Sequence, residues 1–120
     1  MPAHHIEIGQ RGEQAAADYL LGLGWQLLAR NWRGHHGELD IIAHDGAALV
    51  FVEVKSRQGA PPEDAFLQVS RRKQAALAMT AGEYMDQFEL SDAAWRIDVI
   101  AVVFGRGAPQ IEHARDALLW

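Results

Sequence analysis

Residues 49–55 (Leu-Val-Phe-Val-Glu-Val-Lys) are the part of this sequence that most constrains its fold. They are mostly β-branched or aromatic and apolar along most of both faces, which is typical of a strand in the middle of a sheet. The alternation of side chains along a strand places Phe51, Glu53 and Lys55 on one face. Burying the charges of Glu53 and Lys55 costs several kcal/mol unless each finds a partner. A bound divalent cation is one such partner, so this strand indicates a chemical site.

A second acidic pair, Glu38 and Asp40, lies in residues 37–43 (Gly-Glu-Leu-Asp-Ile-Ile-Ala), which also predict a strand. The connecting His-Asp-Gly-Ala contains Asp-Gly between two apolar runs, a strong signal for a β-hairpin. A two-residue loop would place Glu38 opposite Glu53, whereas a four-residue loop would place Asp40 opposite Glu53. Both alternatives place the two acids on the face of Glu53 and Lys55, because a shift of two residues preserves the alternation.

Three carboxylates crowded around one lysine are unfavourable unless a cation offsets their repulsion. Carboxylate oxygens are the ligands that Mg²⁺ and Mn²⁺ prefer. The sequence therefore predicts that Mg²⁺ or Mn²⁺ binds where these two strands meet.

The chain of 120 residues is expected to form a single domain over residues 1–120, because it can bury a core but is too short for two domains. It contains no cysteine, which excludes disulfides and thiolate metal sites. No run is long and apolar enough for a membrane span, and the N-terminal residues lack the features of a signal peptide. A cytoplasmic protein without a membrane partner is the expectation.

The formal net charge of −5 argues against a protein that coats nucleic acid nonspecifically. The charge is unevenly distributed, however. Residues 30–73 contain seven Lys or Arg against six Asp or Glu, whereas residues 74–104 contain one Arg against five Asp or Glu. The candidate site therefore lies in the more basic part of the chain, which permits a substrate that carries phosphate.

Residues 8–23 predict a helix, because alanine, tyrosine and leucine recur at helical spacing before Gly24. Glu13 falls close to this apolar stripe. It has two interpretations: an acid in the first helical turn that the helix dipole stabilises, or a fourth carboxylate that leans over the sheet. Spacing alone favours the first interpretation.

Residues 25–32 predict a further strand, and the loop after it contains His35 and His36. Two neighbouring histidines beside an acidic pair could form a metal site. Adjacent side chains point in opposite directions in an extended chain, however, so one ion rarely binds both. A solvated loop that faces the substrate is favoured over a zinc site.

One helix, or two joined helices, is predicted over residues 63–87. Lys73 lies on the apolar side of that segment, next to Arg71 and Arg72. It is either a lysine whose stem covers apolar surface while its ammonium stays in water, or a cation directed at a phosphate. The sequence leaves both interpretations open.

Residues 95–104 predict a third strongly apolar strand, on which Arg96 and Asp98 share a face and can pair with each other or with neighbouring residues. Residues 111–115 predict an edge strand. The apolar residues 117–120 are expected either to dock on the core or to meet a partner subunit.

The order helix, strand, strand, strand, helix, strand resembles the restriction-endonuclease-like core, an α/β fold in which helices flank a mixed central sheet of four to five strands. Asp40, followed after twelve residues by Glu53-Val54-Lys55, resembles the PD-(D/E)xK signature of metal-dependent nucleases, with Leu39 in place of the proline. Across nearly the whole chain, the sequence resembles the YraN-like family of bacterial proteins. The residues that carry this resemblance are Gly12-Glu13, Ala16, Tyr19-Leu20, Gly24, Arg30-Asn31, Arg33, Gly37-Glu38, Asp40-Ile41-Ile42, Val52-Glu53-Val54-Lys55, Arg57, Lys73 and Arg96-Ile97-Asp98-Val99-Ile100.

The YraN-like family is assigned to this nuclease superfamily through its likeness to archaeal Holliday-junction resolvases. In those enzymes a glutamate of the N-terminal helix joins the Asp and the ExK pair. The resemblance therefore implies that Asp40, Glu53 and the Val54 carbonyl bind Mg²⁺ or Mn²⁺. It also implies that Lys55 lies beside the attacking water and that Glu13 belongs to the catalytic site.

The resemblance implies a nucleic-acid partner as well, with DNA and branched DNA expected, and resolvase-like action would require a symmetric dimer. The basic residues expected to bind the phosphate backbone are Arg57, Arg71, Arg72 and Lys73. One alternative is a noncatalytic nucleic-acid-binding or assembly module, in which the same charged residues form a structural ion-pair cluster. Another is a protein-interaction module with the apolar C-terminus as its interface.

Overall fold

Five strands form one mixed sheet, flanked by two helices, in the computed structural model, which describes residues 2–59 and 69–117 and side chains from residue 7 onward. The elements in chain order are α1 (Pro2–Gly22), β1 (Gln26–Arg33), β2 (Glu38–His44), β3 (Leu49–Gln58), α2 (Arg71–Gln87), β4 (Trp95–Phe104) and β5 (Gln110–Ala114). The strands lie side by side in sequence order and are antiparallel, except for the parallel pair of β3 and β4. This confirms the predicted α/β fold, which is consistent with a restriction-endonuclease-like core. Neither described helix is long and apolar enough to cross a membrane.

The central strand β3 is apolar on both faces because a helix covers each face. Val50 and Val52 pack on one side, in a cluster that includes Leu20 of α1. Phe51 packs on the other side, in a cluster that includes Leu77 of α2. Each of these side chains is at most 3% exposed, and burying one contributes about 1.5–3 kcal/mol to folding. The double burial explains why this segment predicts a central strand.

Helix α1 begins at Pro2, ahead of the predicted start at residue 8. Proline suits the first position of a helix, because its ring fixes φ at a helical value and its missing N–H needs no partner there. Glu13 therefore lies in the middle of α1, and its interpretation as a first-turn acid is wrong. Ala16 and Ala17 pack against the sheet. The face of α1 that contacts the sheet therefore lies close to Glu13.

Helix α2 begins at Arg71, so the prediction of one unbroken helix over residues 63–87 is wrong. Val69 is not helical, and Ser70 caps the helix by accepting a hydrogen bond from the Lys73 backbone N–H at 3.1 Å. The part of the prediction that covers residues 63–68 lies outside the described residues. The cap fixes the first helical turn, which carries the three consecutive basic residues.

The hairpin between β2 and β3 has the four-residue loop, because His44 pairs with Leu49. Asp45 stabilises this loop by accepting hydrogen bonds from the backbone N–H groups of Ala47 at 2.9 Å and Ala48 at 2.7 Å. The other carboxylate oxygen of Asp45 accepts from Arg96 Nη1 at 2.6 Å. The two-residue alternative is therefore wrong.

Asp98, which is completely buried, is the centre of a polar network on β4. Its carboxylate accepts hydrogen bonds from Arg96 Nε at 2.9 Å, His113 Nε2 at 2.8 Å and the Asp116 backbone N–H at 2.9 Å. Nδ1 of His113 hydrogen-bonds the Tyr19 hydroxyl at 3.0 Å. Burial alone would raise the pKa of Asp98, but the hydrogen bonds outweigh it and lower that pKa. The predicted pair of Arg96 and Asp98 is confirmed, and the network extends it to α1 and β5.

Strand β5 confirms the edge strand predicted over residues 111–115. It pairs antiparallel with β4. After it, the Ala117 backbone N–H donates to the Ile97 carbonyl at 2.8 Å. Residues 118–120 of the predicted apolar C-terminus lie outside the described residues.

Helix α1 lies close against β3 at Gly12, which generates a prediction about stability. A Cβ atom on Gly12 would lie 1.7 Å from Ser56 Oγ and 2.7 Å from Ser56 Cβ. We therefore expect Gly12→Ala to lower the free energy of unfolding by about 1–3 kcal/mol through overpacking. Gly9→Ala is the matched control, since a Cβ atom there meets nothing within 4 Å. It should raise the free energy of unfolding by up to about 1 kcal/mol through helix propensity.

Denaturant unfolding of both variants measures this difference. In a Ser56→Gly background, Gly12→Ala should lose most of its cost. Equal stabilities for Gly12→Ala and Gly9→Ala would contradict the close approach.

Candidate metal and nucleic-acid site

The site begins where β2 and β3 separate. Their pairing ends at Ile41 and Val52, and the next position along the same register places Asp40 opposite Glu53. Asp40 Oδ2 accepts a hydrogen bond from the Val54 backbone N–H at 2.8 Å, so a side chain replaces the strand partner. The N–H and C=O of one strand residue point to the same neighbour. The Val54 carbonyl therefore lies on the side of Asp40.

Glu53 carries a buried carboxyl group that its neighbours satisfy only in part. It is 5% exposed, and its Oε2 has no hydrogen-bond partner among the described residues. Lys73 Nζ lies 3.4 Å from that oxygen, close enough for an ion pair but not aligned as a hydrogen bond. Burial, the charge of Asp40 and a hydrogen bond to Asp40 raise the pKa of Glu53 to about 8, against the opposing charges of Lys73 and Lys55. The positive charges near Glu53 are therefore not enough to offset its burial and the repulsion from Asp40.

Glu13 reaches the same region from α1. Burial and the charge of Asp40 raise its pKa, against a side-chain hydrogen bond from Asn31 and the charge of Arg30. Glu13 and Lys55 both line an open cavity of about 320 Å³ between α1 and the end of β3. The other residues that line this cavity are Ile8, Gly9, Val54, Ser56 and Arg57.

Glu38 does not form a third carboxylate with Asp40 and Glu53. It pairs with Arg33 at 2.9 Å, and its charge raises the pKa of Glu13. Among the side chains that the structure describes, in residues 7–59 and 69–117, no three His, Cys, Asp or Glu are grouped so that they could hold a metal ion. The expected cluster of three carboxylates on one face is therefore reduced to Asp40 and Glu53.

The basic residues predicted to bind phosphate lie on two elements. Arg57 lines the cavity and donates from Nη1 to the Ser56 carbonyl at 2.7 Å. Arg71 and Arg72 are exposed on the first turn of α2. Lys73, on the same turn, is directed at Glu53, a contact that neither sequence interpretation of Lys73 contained. No local pattern indicates this contact, because the two residues belong to different elements.

The two histidines of the β1–β2 loop bind a single carboxylate, which the sequence did not predict. Glu83 of α2 accepts hydrogen bonds from the backbone N–H and Nδ1 of His35 at 2.9 and 2.8 Å. It accepts the same pair from His36 at 3.0 and 2.7 Å. These bonds, led by that from the His35 backbone, lower the pKa of Glu83 to about 2. The histidines are thus anchored to α2 and accompany no metal cluster among the described side chains.

The raised pKa of Glu53 predicts an unusual dependence of stability on pH. Between about pH 4.5 and pH 8, folded Glu53 retains a proton that the unfolded chain has lost. The free energy of unfolding should therefore fall as the pH rises through this range, by on the order of a few kcal/mol. Glu53→Gln should remove most of this fall, and it should be more stable than wild type at pH 8. Glu38→Gln, which changes a carboxylate paired on the surface, is the control.

Urea unfolding at intervals from pH 5 to pH 9 measures the effect. A wild-type free energy that stays constant or rises over this range would contradict the burial of an uncompensated carboxylate at position 53.

The chain matches the family model of Uncharacterised protein family UPF0102 over residues 12–102, a range that contains all the acidic site residues. It is 46% identical over 110 residues to the UPF0102 protein of Mycolicibacterium vanbaalenii, covering 91% of each chain. It is 41% identical over 116 residues to the UPF0102 protein of Rhodococcus opacus, covering 96% of this chain and 98% of that relative. These matches confirm the family resemblance found in the sequence, and the chain belongs to Uncharacterised protein family UPF0102.

Proposed function

We propose that this protein is a phosphodiester hydrolase that cuts nucleic acid with the help of Mg²⁺ or Mn²⁺, and that its substrate is DNA. The observation that carries the proposal is the buried Glu53 Oε2, which has no hydrogen-bond partner among the described residues and lies beside a second carboxylate. An unpaired carboxylate oxygen in such a place is costly. A cation that binds both carboxylates would offset this cost.

The residues present fit a hard divalent cation. Asp40, Glu53 and the Val54 carbonyl would hold it, all through oxygen, and the remaining positions would be left to water and substrate phosphate, as is usual for Mg²⁺. What a bound cation supplies is Lewis-acid chemistry, which activates water and polarises a phosphate oxygen. Two carboxylates and one carbonyl, without a third acidic ligand, imply weak binding in the absence of substrate.

Lys55 is the residue proposed to act on the reacting phosphate. It lies toward the end of β3, where its charge lowers the pKa of Glu53. It also lines the cavity that Glu13 lines. Its ammonium would stabilise the negative charge that develops on the phosphoryl oxygens, a contribution made chiefly in the transition state. Glu13 would accept a hydrogen bond from the attacking water and orient it.

The basic residues around the site would bind the phosphate backbone without reading base sequence. Arg71 and Arg72 are exposed on α2, and Arg57 lines the cavity. Lys73 would have two roles, because it pairs with Glu53 in the protein without a cation. Once a cation neutralised Glu53, the Lys73 ammonium would be available to a phosphate. Cutting both strands of a branched substrate would require two copies of the chain, related by a twofold axis.

A noncatalytic nucleic-acid-binding module is the second candidate. Its support is the ion pair of Lys73 with Glu53, together with the raised pKa of Glu53. Both reduce the negative charge of the site without a metal. In that case the same residues would hold β2, β3 and α2 together, and nucleic acid would bind through the arginines alone. The two candidates differ in whether Lys55 is needed after the substrate has bound.

We expect Lys55→Ala to reduce DNA cleavage by roughly 100- to 1000-fold while changing the dissociation constant little, because its contribution belongs to the transition state. Arg72→Ala should instead weaken binding and lower the salt dependence by about one phosphate contact. Arg106→Ala, an exposed arginine on the β4–β5 turn, is the matched control for lost surface charge.

A cleavage screen with Mg²⁺ and with Mn²⁺ over single-stranded, duplex and four-way-junction DNA measures the first quantity. A filter-binding titration over a series of salt concentrations measures the second. Binding without cleavage of any substrate, unaltered in Lys55→Ala, would replace the nuclease proposal by the noncatalytic module. The absence of both binding and cleavage would contradict both candidates.

A further inference from the structure

Asn31 has a backbone conformation that strand formation does not explain. It lies inside β1 with a φ of 53°, in the left-handed region that residues other than glycine rarely adopt. Asparagine tolerates this region better than most residues, because its short side chain can make a local hydrogen bond. Asn31 is exposed, so core packing does not impose the conformation. Such strain persists where the surroundings require it and is common at functional sites.

The alternation of side chains along β2 breaks opposite this residue. Ile41 packs in the cluster on the α1 side, but Leu39, two residues earlier, packs in the cluster on the α2 side with Trp32. Residues two apart in a regular strand share a face. Asn31 and Asp40 are the residues between the pairs Arg30–Ile41 and Trp32–Leu39. The left-handed turn at Asn31 thus coincides with the point at which β2 rotates and Asp40 turns into the split beside β3.

The Asn31 side chain makes a second contribution to the same place. Its amide lies close enough to the Glu13 carboxylate to lower the pKa of that group, against the effect of burial. Its neighbour Arg30 donates from Nη1 to Gln14 Oε1 at 3.1 Å, so two consecutive residues of β1 contact two consecutive residues of α1. An amide that donates to a carboxylate fixes the orientation of that carboxylate without neutralising it.

We propose that Asn31 is a positioning residue of the site: its left-handed backbone turns Asp40 into the split between β2 and β3, and its amide holds Glu13 toward Asp40. This inference rests on the proposed function, because it assigns to Asn31 the alignment of one residue that would bind the cation and one that would orient water. Asn31 itself contacts neither the cation nor the substrate. Its two contributions are separable, because one belongs to the backbone and the other to the side chain.

Three substitutions separate these contributions. Asn31→Gly retains the left-handed backbone at no steric cost but removes the amide. Asn31→Asp retains the shape of the side chain but replaces the donor to Glu13 by a repelling acceptor. Asn31→Ala removes the amide and also disfavours the left-handed backbone. Gln14→Ala is the matched control, since it removes the neighbouring contact between α1 and β1 without touching Glu13.

The first measurement is Mn²⁺ affinity by titration calorimetry, which needs no catalytic activity. Asn31→Gly and Gln14→Ala should bind Mn²⁺ as wild type does, whereas Asn31→Ala should bind roughly 10-fold more weakly because Asp40 is misdirected. Equal affinities for Asn31→Gly and Asn31→Ala would overturn the role of the backbone. Mn²⁺ that binds to neither wild type nor any variant would overturn the proposed function, and this inference would fall with it.

The second measurement is steady-state cleavage, with kcat and KM determined separately. Asn31→Gly and Asn31→Asp should lower kcat by roughly 10- to 100-fold and leave KM for DNA nearly unchanged, while Gln14→Ala should match wild type. An active wild type with equally active Asn31→Gly and Asn31→Asp would overturn the role of the amide and leave the proposed function standing. The side-chain amide resonance of Asn31 gives an independent readout in a ¹⁵N–¹H spectrum. It should shift in Glu13→Gln, and an unshifted resonance would show that the amide does not hold Glu13.

Discussion

The central strand buries a carboxyl group, and the proposed chemistry depends on it. Glu53 lies in the segment that a helix covers on each face, so it is removed from water together with its apolar neighbours. The charge of Asp40 adds repulsion. Lys73 makes an ion pair at 3.4 Å that leaves Oε2 without a hydrogen bond among the described residues. A sequence selected for stability alone would place an apolar residue here. The retention of a carboxyl group at this buried position is the physical reason for proposing chemistry here.

Among the described residues, the sheet contains two buried carboxyl groups that differ in how many hydrogen bonds they accept. On β4, Asp98 is fully buried, but three donors satisfy it, and its pKa is lowered despite its burial. On β3, Glu53 is nearly as buried, but its pKa is raised. Hydrogen bonds therefore offset the cost of burial at Asp98, whereas at Glu53 that cost is not offset. The first arrangement stabilises the fold, and the second is suited to binding a cation.

The sequence predicted the parts of this arrangement that local patterns encode. The apolar run around Glu53 predicted the central strand, and Asp-Gly predicted the hairpin, whose loop length then followed from the hydrogen bonds of Asp45. The start of α1 was missed because the apolar periodicity begins at residue 8, although the proline at position 2 marks a helix start. The position of Glu13 in mid-helix follows from that earlier start.

The remaining contacts join residues that are distant in sequence, and no local pattern encodes them. Glu83 binds two histidines that lie 47 and 48 residues before it, and Tyr19 contacts His113 across 94 residues. Each of these pairs depends on how the helices pack on the sheet. The left-handed conformation of Asn31 is equally hidden, because the residues around it predict an ordinary strand. The acids of the site were therefore predictable, whereas the residues that orient or neutralise them were not.

The central claim is that Asp40 and Glu53 together hold a divalent cation, and diffraction from crystals soaked in Mn²⁺ tests it most directly. Anomalous scattering locates Mn²⁺ without assumptions about activity. The account predicts a peak within coordination distance of both carboxylates and of the Val54 carbonyl, with Lys73 displaced from Glu53. A map without a peak at this place, with Lys73 still paired to Glu53 at a saturating concentration of Mn²⁺, would contradict it.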